Sequence, residues 1–177
     1  HILIGGAMAN TFFKALNYEV GDSLAEPDSV PTAAEMISAG GSKIVLPVDV
    51  VIADAFDADA QSKEMMAGDV PAGWRILDIG PKTVQVYGDL IKTARTVVWN
   101  GPMGVFEFDK FALGTYGIAK AVAESDAVSI IGGGESVAAI QQSGLADKIT
   151  HISTGGGASL EMLEGITLPG LAALQDK

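Results

Sequence analysis

The sequence predicts an α/β three-layer sandwich: a parallel sheet with helices on both faces. Three observations lead there. Short apolar runs rich in β-branched residues alternate with segments of helical period. Four of those runs end in glycine-containing turns. And 177 residues, 48% of them apolar, suffice for one well-buried core and are few for two. Continuous apolar strands point to parallel neighbours, because a crossover helix joins parallel strands economically and covers their faces. The expected architecture is Rossmann-like, a single domain over residues 1–177.

The elements follow in order. "HILIGGA" (His1 to Ala7) leads into the helical "NTFFKAL". "PTAAEMISAGG" is helical and closes on Gly40 and Gly41. "KIVLPVDVVIADAF" carries one strand or two around Pro47. The polar stretch from Asp57 to Gly73 reads as a surface loop with some helix. "WRILDIG" (Trp74 to Gly80) precedes "PKTVQVYGDLIKTA", where Pro81 suits a first helical turn. "TVVWNGP" (Thr96 to Pro102) precedes the helical "FEFDKFALGTYGIAKAVAES". "AVSIIGGG" (Ala127 to Gly134) enters "ESVAAIQQ", and "ITHISTGGG" (Ile149 to Gly157) enters "ASLEMLEG".

Charge and composition exclude several classes. Eleven Lys and Arg against 22 Asp and Glu give a net charge of −11, which opposes a broad basic surface for nucleic acid or anionic lipid. The absence of Cys removes disulfide and thiolate chemistry. No apolar run approaches the 18 or so residues of a membrane span. The expectation is a soluble, cytoplasmic protein that holds any anionic ligand locally.

The glycine turns are the candidate site: Gly5 and Gly6, Gly101 and Gly104, Gly132 to Gly134, and Gly155 to Gly157. In a parallel sheet all four lie along the C-terminal strand edge and line one crevice. A glycine turn that opens a helix presents unpaired amides and the positive end of the helix dipole, a site for phosphate. Close packing of helix on strand would also call for glycine, and both readings stand at any single turn. No Gly is followed by Lys, so the P-loop pattern is absent. G-x-G-x-x-G/A fails at Val137 and at Leu160, which leaves a nicotinamide-dinucleotide domain only the fold in its favour. A fragment with no ligand is the other alternative. Several residues read as structural: His151 on its strand, Trp99 in the core, Asp54, Asp57 and Asp59 on a solvated loop, and Met65 and Met66 as packing.

"VVWNGPMGVFEFDKFALGT", "IIGGGESVAAI" and "HISTGGGASLEMLEG", with "LPVDVVIADAF", "LDIGPKTV" and "LPGLAAL", closely resemble the C-terminal, nucleotide-binding half of phosphoglycerate kinase, collinearly over essentially the whole chain. The resemblance implies reversible phosphoryl transfer between 1,3-bisphosphoglycerate and Mg-ADP, giving 3-phosphoglycerate and ATP. It implies that Gly5 and Gly6 back the adenine and Leu77 touches it, that Asn100, Pro102 and Val105 line the nucleotide cleft, and that Glu107 accepts from the ribose hydroxyls. Gly133, Gly134 and Ser136 match the loop at the nucleotide phosphates. Glu135 stands where the family carries the Asp that addresses Mg²⁺, one methylene longer. Thr154 and Gly155, Gly156 and Gly157 match the turn that holds the transferring phosphoryl group. Ile76 replaces a usual Gly near the base, Ala7 replaces the third Gly of the first turn, and Ile166 stands where Lys is common. The family's N-terminal domain, which binds phosphoglycerate, and the first strand and helix of this half have no counterpart in these residues. The chain alone is therefore expected to be inactive and unstable.

Overall fold

In the computed structural model, which describes residues 1–174, the apolar runs and one polar segment form eight strands and the periodic segments seven α-helices. The strands β1 (Ile2–Leu3) and β2 (Ile44–Val45) pair in parallel. Further along the chain, β6 (Thr96–Asn100), β7 (Val128–Gly132) and β8 (His151–Ile152) form a second parallel sheet in the order β6-β7-β8. The helices are α1 (Gly6–Ala15), α2 (Val30–Gly40), α3 (Pro81–Thr93), α4 (Leu113–Ala123), α5 (Gly134–Gln142), α6 (Gly157–Leu163) and α7 (Pro169–Ala172). The α/β class holds.

Two expectations need correction. The sheet is not continuously parallel: β3 (Asp49–Ala53) runs antiparallel both to β4 (Ser62–Met66) and to β5 (Arg75–Ile79), in the order β4-β3-β5. The stretch from Asp57 to Gly73, read as loop with some helix, contains strand β4 instead. Its first three residues, Ser62, Lys63 and Glu64, are exposed, so it is an edge strand with little apolar signature and with charges that discourage further pairing. The connection from β3 is short enough for a hairpin because its Asp residues satisfy it. Asp54 Oδ1 accepts from the Gln61 amide at 2.9 Å, and Asp57 Oδ1 accepts from the Asp59 amide at 2.8 Å. The chain around Pro47 resolves into two strands, β2 and β3.

Alternation along β3 shows why this sheet is covered on both sides. Val50 and Ile52 join Phe12, Phe13 and Ala33 of α1 and α2 in one buried cluster, whereas Ala53, with Val51 beside it, packs with Leu77 and Phe111. A third cluster joins Ile79 of β5 with Tyr87, Ile91, Trp99, Ile118, Val122, Ile131 and Ile140 from α3, α4, α5 and the second parallel sheet. Tyr87 is fully buried. Its hydroxyl lies 2.7 Å from the Ile4 carbonyl and 2.9 Å from that of Val45, tying α3 to the first sheet. Burial pushes its phenol upward from the ordinary range. Pro81 opens α3, as expected. The amides of Lys82 and Thr83 in that first turn donate to the buried Asp49 carboxylate of β3, at 3.0 and 2.7 Å.

Among the described residues, β1 pairs only with β2 and β6 only with β7, so each presents an open edge. Ile2, Leu3 and Ile4 on one side and Thr96 to Trp99 on the other line the same cavity. No helix among the described residues is long and apolar enough to cross a membrane.

Candidate functional site

Gly5 and Gly6 open α1, with Gly6 at φ +59°. A Cβ on Gly6 would lie 2.8 Å from the Pro102 carbonyl, and one on Gly5 would collide with Met103. The Gly6 amide is taken by the Met103 carbonyl at 3.0 Å. This turn is therefore glycine because another backbone segment crosses it, the packing reading, while the same residues form a wall of the cavity.

The crossing segment departs from expectation. Gly101 and Gly104 do not open a helix: a loop and a 3-10 turn (Asp109–Phe111) intervene before α4. The loop is pinned at three amides instead. Gly101 donates to Ser136 Oγ at 2.6 Å, Met103 to Thr115 Oγ1 at 3.0 Å, and Val105 to the Leu77 carbonyl at 2.8 Å. Ser136 is fully buried in this role. The indole of the buried Trp99 donates to the Gly101 carbonyl.

At the third turn Gly133 adopts φ +85°, and a Cβ there would lie 2.9 Å from Asn100 Oδ1. Helix α5 starts at Gly134, with Glu135 exposed in its first turn. At the fourth turn Gly156 adopts φ +47° with open space where a Cβ would stand, and α6 starts at Gly157. Ser153 Oγ lies 2.7 Å from Ser159 Oγ and accepts from the Gly155 amide, bracing the turn from beneath. His151 on β8 is exposed rather than buried among apolar neighbours.

These residues gather around two cavities. The larger, about 1210 Å³, is lined by Gly5, Gly6, Leu77, Asn100, Pro102, Val105, Glu107 and Glu135, and it continues into the gap between β1 and β6. That continuation explains why its volume exceeds what one small ligand requires. The smaller, about 220 Å³, is lined by Gly133, Gly134, Thr154 and Gly156, with Val137 and Gln141. Gly155 and Gly157 flank Gly156 on the same turn. Asn100 lines the first cavity and rests against Gly133 of the second, so the two adjoin. Among the described residues, Arg75 and Arg95 are the Lys or Arg side chains that line the larger cavity, and none lines the smaller. Arg75 lies 3.5 Å from Asp22.

Two residues escaped the sequence reading. Phe56 is 59% exposed on the wall of the larger cavity, its ring edge-on to Phe108 at 5.4 Å. A lone Phe in the polar run "ADAFDADA" was the available signal. Asp78 is buried beside Leu77; its carboxylate accepts from the Gly114 amide at 2.7 Å and the Ile79 amide at 2.9 Å. Burial raises this carboxyl to about 7, against the lowering effect of those two amides.

A family model described as phosphoglycerate kinase matches residues 1–166. The phosphoglycerate kinases of Chloroflexus aurantiacus and of a Roseiflexus species are each 61% identical over 99% of this chain. Among solved structures, phosphoglycerate kinase from Coxiella burnetii superposes with a TM-score of 0.91 at 42% identity, covering 96% of this chain and 45% of that one. The enzyme from Pyrococcus horikoshii superposes with a TM-score of 0.86 at 38% identity, covering 98% of this chain and 44% of that one. The chain spans about 45% of the length of the curated relatives it matches.

Proposed function

Because this chain belongs to the phosphoglycerate kinase family, we propose that it is the nucleotide-binding half of such an enzyme and carries Mg-ADP or Mg-ATP in the paired cavities. The observation that carries the reading is the convergence of Gly5, Gly6, Leu77, Asn100, Pro102, Val105, Glu107 and Glu135, from four separate stretches of sequence, on one cavity. The base lies against Gly5, Gly6, Leu77 and Val105, with Phe56 closing one side. Glu107 accepts from the ribose hydroxyls. The smaller cavity, bounded by the Gly133–Gly134 and Thr154–Gly156 turns, receives the phosphates.

In the proposed reaction an oxygen of the ADP β-phosphate attacks the acyl phosphoryl group of 1,3-bisphosphoglycerate. The new P–O bond forms as the bond to the carboxyl oxygen breaks, and 3-phosphoglycerate leaves as the carboxylate. The Gly155 amide is held by Ser153 Oγ, whereas the amides of Gly156 and Gly157 lie on an open turn, where donors aimed at developing charge act without a side chain blocking approach. No group of three or more His, Asp or Glu able to hold a metal by itself occurs among the described residues. Glu135 alone faces the larger cavity from a helix N-terminus, a fit for Mg²⁺, which commonly takes one or two carboxylates plus substrate phosphates. When bound, the ion neutralises charge on the phosphates. Glu135 would hold it, directly or through its water shell.

The partner in catalysis is the N-terminal domain of the same enzyme, which supplies the phosphoglycerate site and the cations that the smaller cavity lacks. The open edges of β1 and β6, facing one cavity, support the absence of an interior strand from residues 1–177. The chain in isolation is accordingly proposed to be inactive. The setting is cytoplasmic glycolysis. The test is direct: the full-length protein should bind Mg-ADP saturably and form ATP from 1,3-bisphosphoglycerate in a coupled assay. No turnover, or preference for NAD over ADP, would sink the reading.

A further inference from the structure

The carboxylate of Asp78 sits where several constraints on the larger cavity meet. Helix α4 has Ala112 at its N-cap, which offers no side-chain acceptor. Asp78 supplies that acceptor from β5, through Oδ2 to the Gly114 amide. The neighbouring residue of α4, the fully buried Thr115, accepts the Met103 amide, and the Met103 carbonyl accepts the Gly6 amide at 3.0 Å. On the other side the Leu77 carbonyl, one residue before Asp78, accepts the Val105 amide. Gly104 and Gly114 both crowd the carboxylate so closely that a Cβ on either would collide with it. A continuous series of contacts thus runs from Asp78 through α4 and Met103 to Gly6, and through the backbone to Leu77 and Val105.

Resting on the nucleotide-site reading above, we propose that Asp78 is a positioning residue for nucleotide binding: it sets the spacing between the Gly5–Gly6 wall and the Leu77–Val105 wall of the base pocket without touching the ligand. Asp78→Asn keeps the volume but has one acceptor oxygen for the two amides of Gly114 and Ile79, so its NH₂ opposes one of those N–H groups and the grip on the first turn of α4 is shared or lost. The first turn of α4 then moves off β5 and carries Met103 with it. Misplacing a binding wall weakens ligand association while leaving the reacting groups in place, so the loss falls on nucleotide KM rather than on kcat.

The experiment uses the full-length protein, with calorimetric titration of Mg-ADP and steady-state ATP formation. Wild type should bind Mg-ADP. Asp78→Asn should raise the KM and Kd for Mg-ADP about tenfold, with kcat changed by no more than about twofold and the KM for 1,3-bisphosphoglycerate unchanged. Thr115→Val, nearly isosteric and able to fold even if Asp78→Asn cannot, should shift nucleotide KM in the same direction, and Thr115→Ser should restore it. A purely structural role would lower the melting temperature and the active fraction with nucleotide KM unmoved; that result in the two variants overturns the inference alone. A wild-type protein without saturable Mg-ADP binding overturns the functional reading, and this inference with it.

Discussion

The turn from Gly132 to Gly134 and the turn from Gly155 to Gly157 have the same sequence form, three glycines between an apolar run and a helix, yet the fold treats them oppositely. The first is built into the scaffold. Gly133 is wedged against Asn100, Ser136 behind it hooks the Gly101 amide, and α5 buries Ser136, Ala139 and Ile140. The second stands clear. A Cβ on Gly156 would meet nothing within 4 Å, and α6 buries no residue. Glycine is needed at Gly133 for both conformation and space, at Gly156 for conformation and for open approach. The difference shows that a glycine run states where backbone is exposed to a neighbour, and tertiary structure decides whether that neighbour is protein or ligand.

Substitution at Gly133 should give the largest effect. Gly133→Val combines a disfavoured positive φ with collision against Asn100 and should cost about 2–5 kcal/mol of stability, read by urea unfolding of the full-length protein. A loss no greater than that of Gly156→Val would erase the contrast. At the open turn, Gly156→Val should lower turnover about a hundredfold while the Kd for Mg-ADP changes by no more than about threefold, since its amides are assigned to the moving phosphoryl group. Equal losses in turnover and affinity would make this a packing turn like the first.

Asp78 sharpens the scaffolded side through pH. Its folded-state carboxyl lies at about 7, above an unfolded value near 3.8. The folded state therefore binds more protons than the unfolded state between those values. This group's stabilisation is full below the lower value and is lost as pH rises towards about 7. From pH 5 to 7.5 wild type should lose on the order of 2 kcal/mol through this group, and Asp78→Asn should not, as measured by unfolding at both pH values. Parallel curves would mean that the carboxyl titrates in its ordinary range. The smallest effect belongs to Glu135, which sits beside the first turn yet faces the cavity: Glu135→Ala should reduce the Mg²⁺ enhancement of ADP binding about tenfold, on calorimetric titration with and without the ion. An unchanged enhancement would remove Glu135 from the ion's surroundings.

Legibility in the sequence followed the range of the physical signal. The β-branched runs at Val97 to Trp99 and Ser129 to Ile131 announced strands, though not their burial, since Val98 is exposed on the open edge of β6, and Pro81 announced the start of α3, because each property acts on its own backbone. Strand β4 was illegible: exposed on one face and charged at Lys63 and Glu64, it carries the composition of a loop. The direction of β3 against β5 was equally hidden, since a buried strand shows the same apolar run whichever way its neighbours point. Within the candidate site, the glycine turns and Glu135 could be read locally. Phe56 and Asp78 could not, because their significance depends on Phe108, Gly104 and Gly114, which are distant in sequence.

By itself, then, the sequence determined the alternation of strands and helices, the positions where backbone must run without side chains, and an acidic balance unsuited to polyanions. These are properties of composition, periodicity and single-residue conformational freedom. Only the tertiary structure decided that the strands divide into three sheets, that the loop from Gly101 to Val105 crosses the first glycine turn, that Ser136 faces inward while Glu135 faces the cavity, and that Asp78 caps α4 from β5. Each of these joins groups tens of residues apart, and such pairings are selected by the packing of the whole core and by the need to satisfy buried polar groups, which no local stretch encodes.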